Sequence, residues 1–196
     1  ETILRTGHSS VQSLNDVAID EWKVFLQMAI CHEAMGGMIN AGEYYVRVIE
    51  SNPERTESIE GFFRVIAKQS DIRRTLEQFE RLVRVKPEHA DLRSRYAMVL
   101  HEAGQGERAQ KELQKAQSLE PSNGKYFVME LEWMFGKMGS ACIEPSLTKA
   151  CASKGVSFEL YRTAIDFSIK SSDYVLALKI VIEMMNKIPD KIPNEI

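Results

Sequence analysis

The sequence predicts an all-α chain built from about five copies of one helix-turn-helix unit, and three observations carry that expectation. Four of the six prolines share one phase, and apolar residues between them follow two separate helical periods. No segment keeps the strict alternation of a half-buried strand over a useful length.

Pro53, Pro87 and Pro121 stand 34 residues apart in the contexts Asn-Pro-Glu, Lys-Pro-Glu and Glu-Pro-Ser. Pro189 falls two such steps further on, with Gly155 in the place between. A fixed period of this length marks stacked repeats. With proline at position 32, the units are residues 22–55, 56–89, 90–123, 124–157 and 158–191, after a lead-in segment 1–21 and before a tail 192–196. Position 20 then holds Ala41, Thr75, Ala109, Ile143 and Ala177; position 24 holds Tyr45, Phe79, Leu113, Leu147 and Val181.

In the first unit, Gly36-Gly37 is expected to end one helix and Asn40 to Glu43 to cap the next as a capping box. Gly104 is expected to end the first helix of the third unit, and Ser157 and Ser172 to cap the helices of the fifth. Each position-32 proline is expected to terminate a second helix and open the following first helix, where its missing N–H costs nothing. The fourth unit departs from the pattern. Glu130 stands where a core leucine is expected, and Pro145 enters where the second helix should be running, so that helix is expected to start late or kink.

These residues resemble the tetratricopeptide repeat, whose pattern places small residues at positions 8 and 20 and proline near 32. The resemblance covers residues 22–191 and implies a right-handed superhelix, an α-solenoid with a concave groove lined by the first helix of each unit. Carried onto this sequence, the groove positions are Lys23, Leu26, Ile30, Arg64, Lys68, Ser94, Met98, His101, Val128, Glu132, Phe135, Arg162 and Asp166. Mixed charge with Met and Phe suits an extended or helical peptide held by a few apolar pockets. One subfamily holds a terminal carboxylate with Lys, Asn and Arg; the matching places here are Leu26, Ile30, Gly61, Asp91 and Arg95, of which only Arg95 fits, so that role is rejected.

A second surface is expected on the last helix. In the stretch Tyr174 to Met185, Lys179 and Glu183 continue with Lys187 as one charged row, while Val175, Leu178, Ile182, Met185, Leu176, Ile180 and Val181 cover most of the remaining circumference. A helix apolar on so many sides expects cover on more than one of them. Self-association, a partner, or a further domain would supply it.

Composition narrows the classes. At 196 residues, 27% charged and 44% hydrophobic, the chain reads as one soluble globular body. No stretch reaches the roughly 20 apolar residues a membrane span needs. A net charge of −3 argues against nucleic acid; the basic stretch Arg64 to Lys86 is the one local exception, read first as a solvated helix face. Cys31, Cys142 and Cys151 are odd in number without a Cys-x-x-Cys spacing and read as small apolar residues, giving no disulfide or metal site. Gly104 to Ala109 spells a dinucleotide fingerprint, but a helix precedes it where a strand is required. His32-Glu33 and His101-Glu102 each lack a second histidine four residues on. Ser146 and Lys149 form too short a match to a serine-nucleophile motif. No catalytic residue, cofactor site or metal site is therefore expected.

The expected function is a non-catalytic adaptor or scaffold that binds protein or peptide through the groove, the last helix, or both. The alternatives are a structural assembly subunit and, more weakly, an RNA-binding helical-repeat protein. The sequence leaves the compartment open, with the cytoplasm as the working assignment.

Overall fold

The structure, a computed structural model, describes residues 20–188. The described residues divide into two compact units, one ending at Lys86 and the other beginning at Pro87, where composition suggested a single body. Contacts in a chain of hairpins are local, so compactness is decided hairpin by hairpin. The lead-in before Asp20, Pro189 and the tail lie outside the described residues.

The first unit contains α1 (Glu21–Ala34), α2 (Met38–Ser51), α3 (Thr56–Ile66) and α4 (Ile72–Val85). The second contains α5 (Ala90–Glu102), α6 (Gly106–Leu119), α7 (Gly124–Met138), a 3-10 turn (Gly139–Cys142), α8 (Ile143–Ala152), α9 (Phe158–Lys170) and α10 (Tyr174–Lys187). No strand occurs among the described residues. First helices begin at Thr56, Ala90, Gly124 and Phe158, so the 34-residue interval recurs in the backbone itself.

Proline ends helices here but does not open them. Asn52, Lys86 and Glu120 each precede a proline and leave the helical region at φ −144°, −122° and −130°, because the pyrrolidine ring excludes helical geometry from the residue before it. Each following helix starts three residues after the proline; those at Ala90 and Gly124 start on a side-chain cap, which the one at Thr56 lacks. His89 accepts from Leu92 N–H at 3.2 Å, Asn123 from Lys125 N–H at 3.3 Å and Ser157 from Leu160 N–H at 3.2 Å. Ser172 is not a cap: it turns the chain at φ 58°, and Asp173 beside it accepts from Leu176 N–H at 3.0 Å. Nor does Asn40 start a capping box, since α2 already begins at Met38. Gly36 and Gly104 end α1 and α5 at φ 79° and 76°.

The fourth hairpin resolves its proline by delay. The 3-10 turn takes up the residues that form the first helical turn elsewhere, and α8 begins only at Ile143. Pro145 then falls within the first turn, where N–H groups have no intrahelical partner to lose.

In the first unit, Phe62 and Phe79 meet edge to face with centroids 5.2 Å apart, among buried Val46, Ile49 and Leu82. In the second, Phe127, Leu131, Leu147, Leu160, Tyr161 and Ile180 form the largest core. Glu130 lies at its edge, buried, with its carboxylate held by Lys149 at 2.6 and 2.7 Å and by Gln117 at 2.8 Å. Lys149 also donates to Gln117 at 3.0 Å. A polar knot joining α6, α7 and α8 therefore replaces the expected leucine. Of the cysteines, Cys142 is buried, Cys151 is half-buried and Cys31 is exposed, so the apolar-filler reading fails for Cys31. It stands on the face of α1 that carries Val24 and Met28, both exposed.

Candidate functional site

The first helices of the second unit, α5, α7 and α9, meet through rings. His101, in the last turn of α5, stacks on Trp133 of α7 with centroids 4.4 Å apart and planes 4° from parallel. Phe135, also on α7, stacks on Phe167 of α9 at 4.0 Å and 12°. All four rings are half-buried. Helical spacing puts Met98 one turn before His101 and Met138 one turn after Phe135, and both are exposed. The ammonium of Lys170 lies 5.3 Å from the Phe167 centroid.

An exposed row runs beside the rings. Met98, Glu132 and Asp166 occupy the same place on α5, α7 and α9, 34 residues apart, and each is exposed. The surface thus presents sulfur and ring edges next to two carboxylates. Chemically it can hold apolar side chains against the rings and cationic groups against Glu132, Asp166 or a ring face.

Other groove candidates fall elsewhere. Ser94 is a correction: it is buried, its hydroxyl donating to the Asp91 carbonyl at 2.9 Å, because position 5 of α5 turns inward. Val128 packs against the core of the second unit and is only half-buried. Arg162 is exposed and donates to Glu159 at 2.5 Å.

The first unit carries Lys23, Leu26, Ile30, Arg64 and Lys68. Lys23 is exposed and pairs with Asp20 at 2.6 Å. Leu26 is half-buried, and Ile30 and Lys68 are exposed. Arg64 is engaged: it binds the Glu33 carboxylate through two hydrogen bonds of 2.6 and 2.9 Å, and Tyr45 donates to the same carboxylate at 2.9 Å. Arg81 grips Glu43 at 2.7 and 2.9 Å and Glu50 at 2.8 and 2.6 Å, tying α4 to α2. Two of the basic residues between Arg64 and Lys86 are therefore committed to carboxylates of the preceding hairpin, which weakens the case for a phosphate-binding stripe. His32 stacks on Tyr44 at 5.3 Å.

The Arg64 guanidinium holds the Glu33 carboxyl down to about 2, with burial opposing it and Tyr45 assisting. A carboxyl depressed on folding contributes stability above its unfolded value of 4.5, and that contribution disappears as pH falls from there toward 2. Arg64 is half exposed, so screening reduces the contribution to on the order of 1 kcal/mol. Urea midpoints of the first unit are expected to drop between pH 6 and pH 3, and Glu33→Gln to lower stability at pH 6 while flattening that drop.

Sequence reasoning reached His101 and Phe135 but missed Trp133 and Phe167. The available signal was a ring pair 32 residues apart, two short of the repeat length, occurring twice.

On α10 the four predicted interface residues are all exposed: Val175 83%, Leu178 62%, Ile182 53% and Met185 56%. Its charged row turns the other way. Lys179 pairs with Glu144 of α8, and Glu183 accepts from Tyr161 at 3.2 Å and from Lys187 at 2.8 Å. Lys187 also reaches Cys151 Sγ at 3.0 Å. Burial is the main reason the Tyr161 phenol is pushed up.

Helical hairpins repeated at a fixed interval define a helical-repeat protein. Residues 67–127 match a family model described as tetratricopeptide repeat. Among solved structures, the chain is similar to a MamA protein, at 15% identity and TM-score 0.60 over 89% of this chain and 96% of that one. It is also similar to a tetratricopeptide repeat protein from Parabacteroides merdae, at 10% identity and TM-score 0.60 over 87% of this chain and 68% of that one. A third is YrrB, described as a TPR protein with an unusual peptide-binding site, at 14% identity and TM-score 0.52 over 95% of each chain. No curated protein matches the chain. The matched segment is tetratricopeptide-repeat sequence, and the described residues take the all-α helical-repeat fold. No helix among the described residues is long and apolar enough to cross a membrane.

Proposed function

We propose that the chain is a non-catalytic protein-interaction scaffold that captures a peptide segment on the first-helix face of its second unit. The observation that carries this reading is the pair of ring stacks, His101 on Trp133 and Phe135 on Phe167, flanked by the exposed row Met98, Glu132 and Asp166. Rings held parallel by their neighbours lose little side-chain entropy on binding, so apolar anchors meet a preorganised surface. Two carboxylates beside them favour a partner carrying Lys or Arg close to its apolar anchors. The exposed row on α10 is a second contact surface, suited to an assembly role.

Selection from a displayed random-peptide library on the intact chain tests this. Captured peptides should combine apolar residues with Lys or Arg. The variant Glu132→Lys/Asp166→Lys should keep its helical circular dichroism and bind them at least about tenfold more weakly, since two exposed charge contacts of this kind are worth about 1.4 kcal/mol together. Capture of acidic peptides, or unchanged affinity of the variant, would contradict the assignment.

A further inference from the structure

We propose that α10 pairs antiparallel with α10 of a second copy of this chain, through Val175, Leu178, Ile182 and Met185, to form a weak two-fold dimer. This rests on reading the α10 row as an interface. The places of these residues in the repeat support that reading. Four repeat lengths back, in the first hairpin, they correspond to Ile39, Gly42, Val46 and Ile49 of α2. There Gly42, Val46 and Ile49 are buried, and Gln78 of the next hairpin lies over Gly42 and donates to the Ile39 carbonyl at 3.4 Å. On α10 the corresponding side chains are all apolar and exposed.

Three features select a second copy as the occupant. The row follows the 3-4-3 spacing of a helix–helix seam, which can complement itself. It contains no charge: Lys179, Glu183 and Lys187 are all engaged with Glu144, Tyr161 or Cys151 of the same copy, so two such faces meet without like-charge repulsion. Antiparallel pairing sets Val175 against Met185 and Leu178 against Ile182, equalising the layers, and opposes the helix dipoles.

Head-to-tail stacking of copies, by contrast, would repeat the α2–α4 junction with the wrong charges. Arg81 there grips Glu43 and Glu50; the corresponding residues of a copied junction are Arg47 against Lys179 and Asn186. Like charges would face each other. A two-fold contact closes, whereas a head-to-tail one would not. A single helix face falls short of the roughly 800 Å² per partner of a standard interface, so association in the micromolar range is expected.

Sedimentation equilibrium of the intact chain from about 1 µM to about 300 µM tests the proposal. The mass should rise from one chain toward two and stop there. Val175→Lys alone and Met185→Glu alone should each shift the midpoint upward at least about tenfold. The double variant Val175→Lys/Met185→Glu should recover dimerisation, because antiparallel pairing alone sets Lys against Glu twice. A single chain throughout, growth beyond two, or no rescue by the double variant would overturn the dimer.

Binding of the apolar dye 1-anilinonaphthalene-8-sulfonate separates the two levels of failure. A monomer whose dye binding falls with Ile182→Asp would retain an open apolar row awaiting another occupant. A monomer with no dye response would show that the interface reading itself fails.

Discussion

Replacing Lys149 with Met is expected to destabilise the second unit by about 2–3 kcal/mol, read as a lower urea midpoint with an unchanged slope. The Glu130 carboxylate is buried within the hairpin stack, and Lys149 supplies two of the three hydrogen bonds recorded to it. Removing that ammonium leaves a desolvated negative charge with Gln117 alone. A fully buried orphan would cost about 3–5 kcal/mol, but the Lys149 side chain is 43% exposed, so water can enter and lower the penalty. The double variant Glu130→Leu/Lys149→Met should recover most of the loss, because apolar groups of similar volume commonly match or exceed a buried ion pair. A single variant within about 0.5 kcal/mol of the parent would mean that the knot contributes nothing to stability.

Gly61→Ala should also destabilise the protein, against the sign of helix propensity. In the middle of α3, alanine is favoured over glycine by about 1 kcal/mol. A Cβ at Gly61, however, would stand 2.5 Å from Cε1 and 2.6 Å from Cζ of Tyr45. That ring cannot swing away cheaply, because it is buried and its hydroxyl is bound to Glu33. Overpacking of this kind costs about 1–3 kcal/mol, so a net loss of up to about 2 kcal/mol is expected by urea unfolding. Tyr45→Leu, introduced with Gly61→Ala, should remove the clash and make the alanine less costly than it is beside tyrosine. A stabilised Gly61→Ala single variant would show that α3 shifts freely.

Local rules made the helices legible and left their junctions obscure. Proline phase and two helical periods sufficed to place the hairpins, since both act within a few residues. Caps were harder, because Ser172 and Asp173 are adjacent and compete for one role; the left-handed turn at Ser172 gave the cap to Asp173. Glu130 was legible as an anomaly, but its partner Lys149 sits 19 residues on, in a helix whose start was displaced by Pro145.

The site shows the same division. Exposure of Met98, Glu132 and Asp166 follows from a single face of three similar helices, and their shared position revealed them. Ser94 and Val128 share another position of that pattern, which faces inward: one is buried and the other packs on the core. The stacks of His101 on Trp133 and Phe135 on Phe167 needed the offset between successive first helices, which only the packed structure supplies.

Hydrogen exchange with and without a selected peptide tests the proposed binding face directly. Slowed exchange confined to α5, α7 and α9, strongest around His101, Trp133 and Phe167, is the predicted footprint. Protection centred on α6, α8 or α10, with the first helices unchanged, would contradict it.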